Sequence, residues 1–249
     1  MAPLGHHIRI RLEDSRVIAH SADQQRVVAR VVLAQGQACG LLAFGLPDTH
    51  LHLQARCDLR AAGRLSQRVG ASLKQRLGLP VRFVTYPHEP IRDQRHLFNT
   101  LRYVLTQHVR HGLDPRAVLE ATNLPDLIGL RLLGGYTRDH IARCLPRVQR
   151  ATFLEWAGLT GLQSAEGPLD EVLAATLAAT ALPRLTGRSV PVLQARRALM
   201  EVVGPRLPTA DLAALLGVTE RTLYRFKHHP VDMALVRAIR LQLGLRRLD

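Results

Sequence analysis

The chain has 249 residues, a formal net charge of +14 at pH 7 and a pI near 11.2. A chain of this length can bury a substantial core and form one large domain or two small ones. So basic a chain favours a polyanionic partner, and no apolar stretch is long enough to cross a bilayer, so we expect nucleic acid as the partner and no membrane.

The cysteines and the N-terminus bear on the compartment. Cys39, Cys57 and Cys144 have no paired spacing, which indicates neither a zinc knuckle nor a disulfide framework and fits a reducing cytosol. The N-terminal residues contain no apolar core typical of a signal peptide. We therefore expect a cytoplasmic protein.

The first elements of the chain alternate between strand and helix patterns. Residues 7–12 alternate apolar and polar side chains, which predicts a strand with Arg9 and Arg11 on its outer face. Apolar side chains at helical spacing predict amphipathic helices over residues 22–35 and 58–78.

Between these helices the pattern predicts a β-hairpin, and after them a fourth strand. Residues 41–44 form one arm of the hairpin and the histidine-containing stretch around residues 50–55 the other, while residues 81–86 supply the fourth strand. The order β-α-β-β-α-β predicts an α+β domain with a ferredoxin-like antiparallel sheet, covered on one face by two helices. The other face is left for function.

Four polar residues are expected on that free face. Side chains alternate across a strand, so His50 and His52 point the same way. A helix predicted over residues 94–111 carries Tyr103 and Gln107 one turn apart, on one face. Two histidines alone are also typical of the wet face of an edge strand, and Tyr103 alone is typical of a core edge.

This combination resembles the single-tyrosine HUH transposases, and among them the REP-associated tyrosine transposases. Residues 46–53, LPDTHLHL, are similar to their His-hydrophobic-His motif. IRD at 91–93, LRYV at 101–104 and VRHGL at 109–113 are similar to their catalytic-tyrosine helix. The resemblance covers roughly residues 6–114.

The sequence departs from the family pattern at two places. Thr49 stands where the family usually has Asn, and Gln107-His108 stands where it usually has Asn-Pro. An amide carbonyl of Gln can still bind a metal, so the third-ligand role passes to Gln107. His108 is the alternative, and it points about 100° further round the helix.

The resemblance implies a metal-dependent single-stranded DNA endonuclease and strand transferase. His50, His52 and Gln107 would bind Mg²⁺ or Mn²⁺, and Tyr103 would attack phosphorus to leave a 5′-phosphotyrosine and a free 3′-hydroxyl. Two neutral imidazoles and a neutral amide would leave the full charge of the ion for the scissile phosphate. Single-stranded or hairpin DNA is the expected partner, and the protein would act as a monomer or a homodimer.

The second half of the chain is predicted to be all-α. Residues 115–187 read as a helical linker and bundle, and residues 188–249 as a helix-turn-helix domain that follows a nuclease domain over residues 1–114. In the segment 212–226, Gly217 makes the turn, and Leu223 and Phe226 anchor the second helix while Thr219 caps it.

One face of that second helix is expected to contact duplex DNA in the major groove. The residues that share or flank this face are Arg221, Thr222, Arg225 and His228. The block 188–226 also loosely resembles the C-terminal DNA-binding domain of bacterial replication initiators. An ordinary helical hairpin is the alternative.

Two other functions compete with the nuclease. A non-catalytic DNA-binding regulator derived from such a transposase would bind DNA without forming a covalent adduct. A metal-dependent phosphohydrolase would turn over repeatedly, again without an adduct. A covalent protein–DNA adduct would therefore identify the transposase-type nuclease, and repeated turnover without an adduct would separate the phosphohydrolase from the regulator.

Overall fold

A computed structural model describes residues 2–113 and 119–248 of the chain. The chain forms two compact units, the first made of Met1–Ile128 with Leu133–Thr160 and the second of Gly129–Leu132 with Gly161–Asp249. The first unit thus continues past the boundary predicted at residue 114, and the predicted segment 115–187 is divided between the two units. Residue 114 itself lies outside the described residues.

The first unit combines one sheet with seven helices among its described residues. The strands are β1 (Gly5–Leu12), β2 (Leu41–Gly45), β3 (His50–Ala55), β4 (Phe83–Thr85) and β5 (Glu89–Ile91). The helices are α1 (Ala22–Gly36), α2 (Leu59–Leu77), α3 (Gln94–Leu105), α4 (Gln107–His111), α5 (Leu124–Ile128), α6 (Gly135–Cys144) and α7 (Arg150–Trp156). Short 3₁₀ turns occupy Gln37–Cys39 and Leu119–Ala121.

The sheet is antiparallel, with strand order β2-β3-β1-β4, and β5 also pairs with β1. The prediction of an α+β fold with an antiparallel sheet is confirmed. The fourth strand is shorter than predicted, because only Phe83–Thr85 pairs with β1. Strand β5 was not predicted: it has three residues with Pro90 at its centre, a composition that reads as a loop.

One face of the sheet carries the hydrophobic core of this unit. Ile8, Ile10 and Leu12 of β1 are fully buried and belong to one cluster with apolar residues of α1 and α2. Each helix starts at a side-chain cap, since Ser21 accepts from the Gln24 backbone and Asp58 from the Ala61 backbone. Burying the core side chains, at about 1.5–3 kcal/mol each, fixes the opposite face of the sheet as the face left for polar residues.

The segment after residue 118 is held against the edge of β2. The buried Asn123 side chain accepts a hydrogen bond from Phe44 N–H (2.9 Å) and donates one to Leu42 C=O (2.9 Å). The Leu46 backbone N–H donates to Ala121 C=O. This segment therefore covers the edge of β2, which explains why the first unit extends beyond residue 114.

The helix predicted over residues 94–111 is divided into α3 and α4. Thr106 lies between them with a non-helical backbone (φ −108°, ψ 24°), and its hydroxyl donates to Arg102 C=O at 2.8 Å. Back-bonding of this kind bends or interrupts helices. Gly112 adopts the left-handed conformation (φ 62°) and ends α4.

The second unit is all-α in its described residues. Its helices are α8 (Leu169–Thr180), α9 (Val190–Val203), α10 (Thr209–Leu216), α11 (Glu220–Lys227) and α12 (Met233–Leu245). Helices α8, α9 and α12 pack on one another around a common apolar cluster. Helices α10 and α11 are joined at Gly217, whose left-handed backbone (φ 60°) ends α10. Among the described residues no helix has both the length and the apolar character needed to cross a membrane.

Candidate functional site

The pairing register of β1 and β3 assembles the polar face. Arg9 is paired with His52, and Arg11 with His50. Directly paired residues project from the same face of a sheet, so the two histidines and the two arginines share the face opposite the core. His7, two residues before Arg9, joins them and is paired with Gln54.

Helix α3 brings the tyrosine onto this face. The ring of Tyr103 meets the ring of His52 edge-on, with centroids 5.4 Å apart, and that of His7 at 5.7 Å. The helix is held there because the Gln54 side-chain amide donates to Leu97 C=O at 2.8 Å and Leu97 is fully buried. The structure therefore brings Tyr103 next to His52, whose ring centroid lies 4.6 Å from that of His50.

Gln107 is the first residue of α4, one helical turn after Tyr103. Its side chain is 3% exposed, and its amide N–H donates to Tyr103 C=O at 2.8 Å. His108 is also buried, but it has no ring contact with either site histidine or with Tyr103 among the described contacts. Burial lowers the pKa of His108. Of the two candidates for the third ligand, Gln107 is the one bonded to the tyrosine backbone.

A chain of hydrogen bonds fixes the tautomer of His52. Glu89 of β5 is a carboxylate and only accepts, so His7 Nδ1–H donates to Glu89 Oε2 (3.4 Å). His7 Nε2 is then an acceptor, and His52 Nδ1–H donates to it at 2.9 Å. This leaves a free lone pair on His52 Nε2.

His7 and His52, the two histidines in this series of hydrogen bonds, are neutral. Burial is the main cause that lowers the pKa of His7. Burial, together with the neighbouring His7 and His50, lowers the pKa of His52 to about 2. A neutral imidazole is the form that binds a metal. Burial also lowers the pKa of His50, against the opposing effect of Asp48.

The two loop residues before His50 position its ring. The Thr49 hydroxyl lies 3.2 Å from Asp48 Oδ1, to which it donates, and 3.2 Å from His50 Nδ1. With its hydrogen directed to Asp48, the Thr49 oxygen accepts from His50 Nδ1–H and leaves His50 Nε2 as the acceptor. Thr49 thus orients the ring of His50.

Two buried acceptors at this site have no hydrogen-bond partner among the described residues. They are Nε2 of His52 and Oε1 of Gln107. A buried acceptor without a partner costs about 1–3 kcal/mol, so such atoms need a ligand, an ion or water. Oε1 of Gln54, the β3 residue paired with His7, is a third such atom. The residues at the site therefore fit a bound cation.

The type of donor accounts for one negative finding. No group of three or more His, Cys, Asp or Glu side chains suited to a metal occurs in the described part of the chain. The candidate ligands are the imidazoles of His50 and His52 and the amide oxygen of Gln107, and only the two histidines would count toward such a group. Imidazole and amide oxygen together suit a divalent transition ion.

Sequence reasoning missed four residues of this site, among them His111, whose ring centroid lies 5.9 Å from that of His50. His7 and Glu89 form the tautomer chain, and the Arg110 guanidinium lies 5.5 Å from the centre of the Tyr103 ring. His7 is separated by two and four residues from Arg9 and Arg11, so alternation alone would have put it on their face. Glu89 could not be found without β5.

The residues predicted to contact duplex DNA lie on α11 and just after it. Leu223 and Phe226 are buried, whereas Arg221, Arg225 and His228 are exposed on the other side of the helix. The Thr222 hydroxyl lies 3.0 Å from the Thr219 hydroxyl and is only partly exposed, so it takes part in capping. The exposed Tyr224, which was not predicted, contacts Lys227.

Comparisons with protein-family models, with curated proteins and with solved structures found no match to the chain. The function must therefore be inferred from the arrangement of the chain's own side chains.

The tautomer chain makes a prediction for His52. Because the pKa of His52 lies far below the usual value of 6.5, its ring should stay neutral between pH 5 and 8, with the proton on Nδ1. Nitrogen NMR of the metal-free protein with labelled histidine measures both properties. A His52 ring that gains a proton near pH 6.5 would contradict the assignment.

Proposed function

We propose that the chain is a single-stranded DNA endonuclease and strand transferase that acts through a 5′-phosphotyrosine, as the resemblance to single-tyrosine HUH transposases implies. The observation that carries the proposal is the contact of Tyr103 with His52, beside two buried acceptors that lack a partner. A nucleophile and a cation site side by side are what transfer of a phosphoryl group needs.

The architecture supports the same proposal. The strand order β4-β1-β3-β2 and the chain order β-α-β-β-α-β are those of a ferredoxin-like sheet. We also propose that α10 and α11 form a helix-turn-helix, since a left-handed Gly217 and a capping Thr219 join two short helices.

Three side chains would bind the ion: His50, His52 and Gln107. Because imidazole ligands suit transition ions better than Mg²⁺, we expect Mn²⁺ to bind more tightly. When bound, the ion supplies Lewis-acid polarisation and orientation of the scissile phosphate. The hydrogen bonds of His52 to His7 and of His50 to Thr49 orient the ligands before it arrives.

The protein's own step begins at the Tyr103 hydroxyl. The hydroxyl loses its proton to solvent as its oxygen bonds to phosphorus and the bond from phosphorus to the 3′-oxygen breaks. The released 3′-oxygen takes up a proton from solvent, so no net proton is gained or lost. The products are a free 3′-hydroxyl and DNA joined through its 5′-phosphate to Tyr103. A 3′-hydroxyl that attacks this linkage restores a phosphodiester and the tyrosine, so joining needs no ATP. Arg110 beside the ring and Arg9 beside His52 place positive charge near the phosphate.

DNA would contact both units. Arg9 and Arg11 lie on the sheet face with the histidines, where the sugar-phosphate backbone of a single strand or hairpin would bind. In the second unit, Arg221, Arg225 and His228 would contact duplex DNA, with Thr222 supporting the helix start. A basic face of this kind is also what a non-catalytic DNA-binding regulator would need, and only the tyrosine chemistry separates the two functions.

Replacing Tyr103 with Phe should abolish the covalent adduct. Full-length protein is incubated with Mn²⁺ and single-stranded DNA that carries a label at its 3′ end, and the adduct is resolved on a denaturing gel. The wild type should carry the 3′ label and not a 5′ label, because only the 5′ phosphate stays on the enzyme. Tyr224→Phe, an exposed tyrosine of the second unit, should behave as the wild type.

Three outcomes contradict this proposal. Undiminished adduct in Tyr103→Phe would remove the nucleophile. Cleavage by the wild type that turns over many times with no adduct on any residue would favour the phosphohydrolase, and binding without cleavage would favour the regulator.

Replacing Glu89 with Gln should weaken Mn²⁺ binding, because Glu89 fixes the donor role of His7 and His7 in turn orients the candidate ligand His52. Loss of a partner directly behind a metal-bound histidine weakens binding about ten- to a hundredfold, which is the upper limit here. The amide no longer compels His7 Nδ1 to donate, so the tautomer of His52 is no longer fixed. Isothermal titration calorimetry on full-length protein measures the affinity directly. Glu13→Gln is the matched control, since Glu13 is exposed and pairs with Arg82. Equal Mn²⁺ affinity in both variants would refute the role of Glu89.

A further inference from the structure

Tyr86, just after β4, lies in line with the candidate site across the sheet. Ile10 is paired with Thr85, and the next residue, Tyr86, donates its backbone N–H to Arg9 C=O at 3.1 Å. Arg9 is in turn paired with His52. The three side chains therefore form a row across neighbouring strands, which we call the Tyr86 row: His52, Arg9 and Tyr86.

The Tyr86 ring is held by two guanidinium groups. The guanidinium carbon of Arg9 lies 5.1 Å from the ring centroid and that of Arg11 lies 5.3 Å from it. Arg11 is itself held by a hydrogen bond to the Ser15 hydroxyl at 2.7 Å. In the part of the chain that the structure describes, the Tyr86 hydroxyl has no hydrogen bond to another residue.

This part of the sheet face is open. Helix α3 packs over β2 and β3, and helices α1 and α2 pack on the core face. Arg9, on the neighbouring strand β1, is exposed, and Tyr86, just after β4, is partly exposed. An aromatic ring with two arginines at the open half of a sheet combines a stacking surface with positive charge.

We propose that Tyr86 stacks on a nucleobase of a bound single strand while Arg9 and Arg11 contact the adjacent phosphates. Aromatic stacking beside a basic groove is how proteins bind single strands without reading their sequence. Bases in a duplex are already stacked on each other, so the subsite selects single-stranded nucleic acid. The inference rests on the proposed function for the kind of substrate.

The position of Tyr86 defines what the subsite does. Two strand spacings separate it from His52, or about 10 Å. The stacked base therefore belongs to a nucleotide close to the scissile phosphate, and not to the nucleotide that carries the phosphate attacked by Tyr103. Tyr86 is a positioning residue that holds the strand in register with the nucleophile.

The test compares two strands that differ only in their bases. Full-length protein is titrated, without metal, into labelled single-stranded oligothymidine and into an abasic strand of equal length, and fluorescence anisotropy gives the dissociation constants over a series of salt concentrations. The variants are Tyr86→Leu and Tyr86→Phe, with Tyr224→Leu as the control on the second unit.

Tyr86→Leu should bind oligothymidine about tenfold more weakly than the wild type, within the range for loss of one stacked base. It should bind the abasic strand as the wild type does, and its salt dependence should be unchanged because no phosphate contact is lost. Tyr86→Phe should keep the wild-type affinity for both strands. Arg9→Ala should instead weaken binding to both strands and reduce the slope of log K against log salt by about 0.7.

Two results would overturn the inference. Equal affinity of Tyr86→Leu and the wild type for oligothymidine would show that no base stacks on the ring. An equal loss on oligothymidine and on the abasic strand would show that the ring acts only by holding the arginines. Absence of a Tyr103 adduct would remove the nuclease proposal alone, because these affinities are measured without cleavage.

Discussion

The pairing of β1 with β3 is the constraint on which the candidate site depends. Their register sets Arg9 against His52 and Arg11 against His50, with His7 next to them. Side chains alternate along a strand, so a slip by one residue would turn this whole set toward the core and the buried Ile8 and Ile10 toward water. The apolar burial on one face therefore specifies the polar constellation on the other.

The same register links metal binding and DNA binding. His52 is the end of the hydrogen-bond chain from Glu89 through His7, and it is also the first member of the Tyr86 row. Strand β1 is long enough to pair with β5 at one end and β4 at the other, so it brings Glu89 and Tyr86 to the same face. Without β1, His52 would not be oriented by His7, and the proposed binding surface for single-stranded DNA would not form.

Much of this arrangement follows from sequence, and the part that does not has physical reasons. Strict alternation put His50 and His52 on one face, and the helical repeat put Gln107 under Tyr103 even though Thr106 breaks the helix. The break was not foreseen, because the Thr106 bond to Arg102 C=O is a local choice that apolar periodicity does not record. The hydrogen bond from His7 to Glu89 depends on β5, a three-residue strand with a central proline, whose sequence has no strand pattern. The boundary of the first unit was also missed, because it depends on the long-range hydrogen bond between Asn123 and the Phe44 backbone, which no local pattern indicates.

The most direct test of the central claim is to locate the covalent bond. Wild-type protein is trapped with Mn²⁺ and single-stranded DNA, the DNA is digested to its last nucleotide, and the protein is cut with trypsin. Cleavage after Arg102 and Arg110 releases residues 103–110, in which Tyr103 is the only tyrosine. The account predicts that this peptide gains the mass of one nucleoside monophosphate, with fragment ions that put it on Tyr103. A modified residue elsewhere, or strand cleavage with this peptide unmodified, would contradict it.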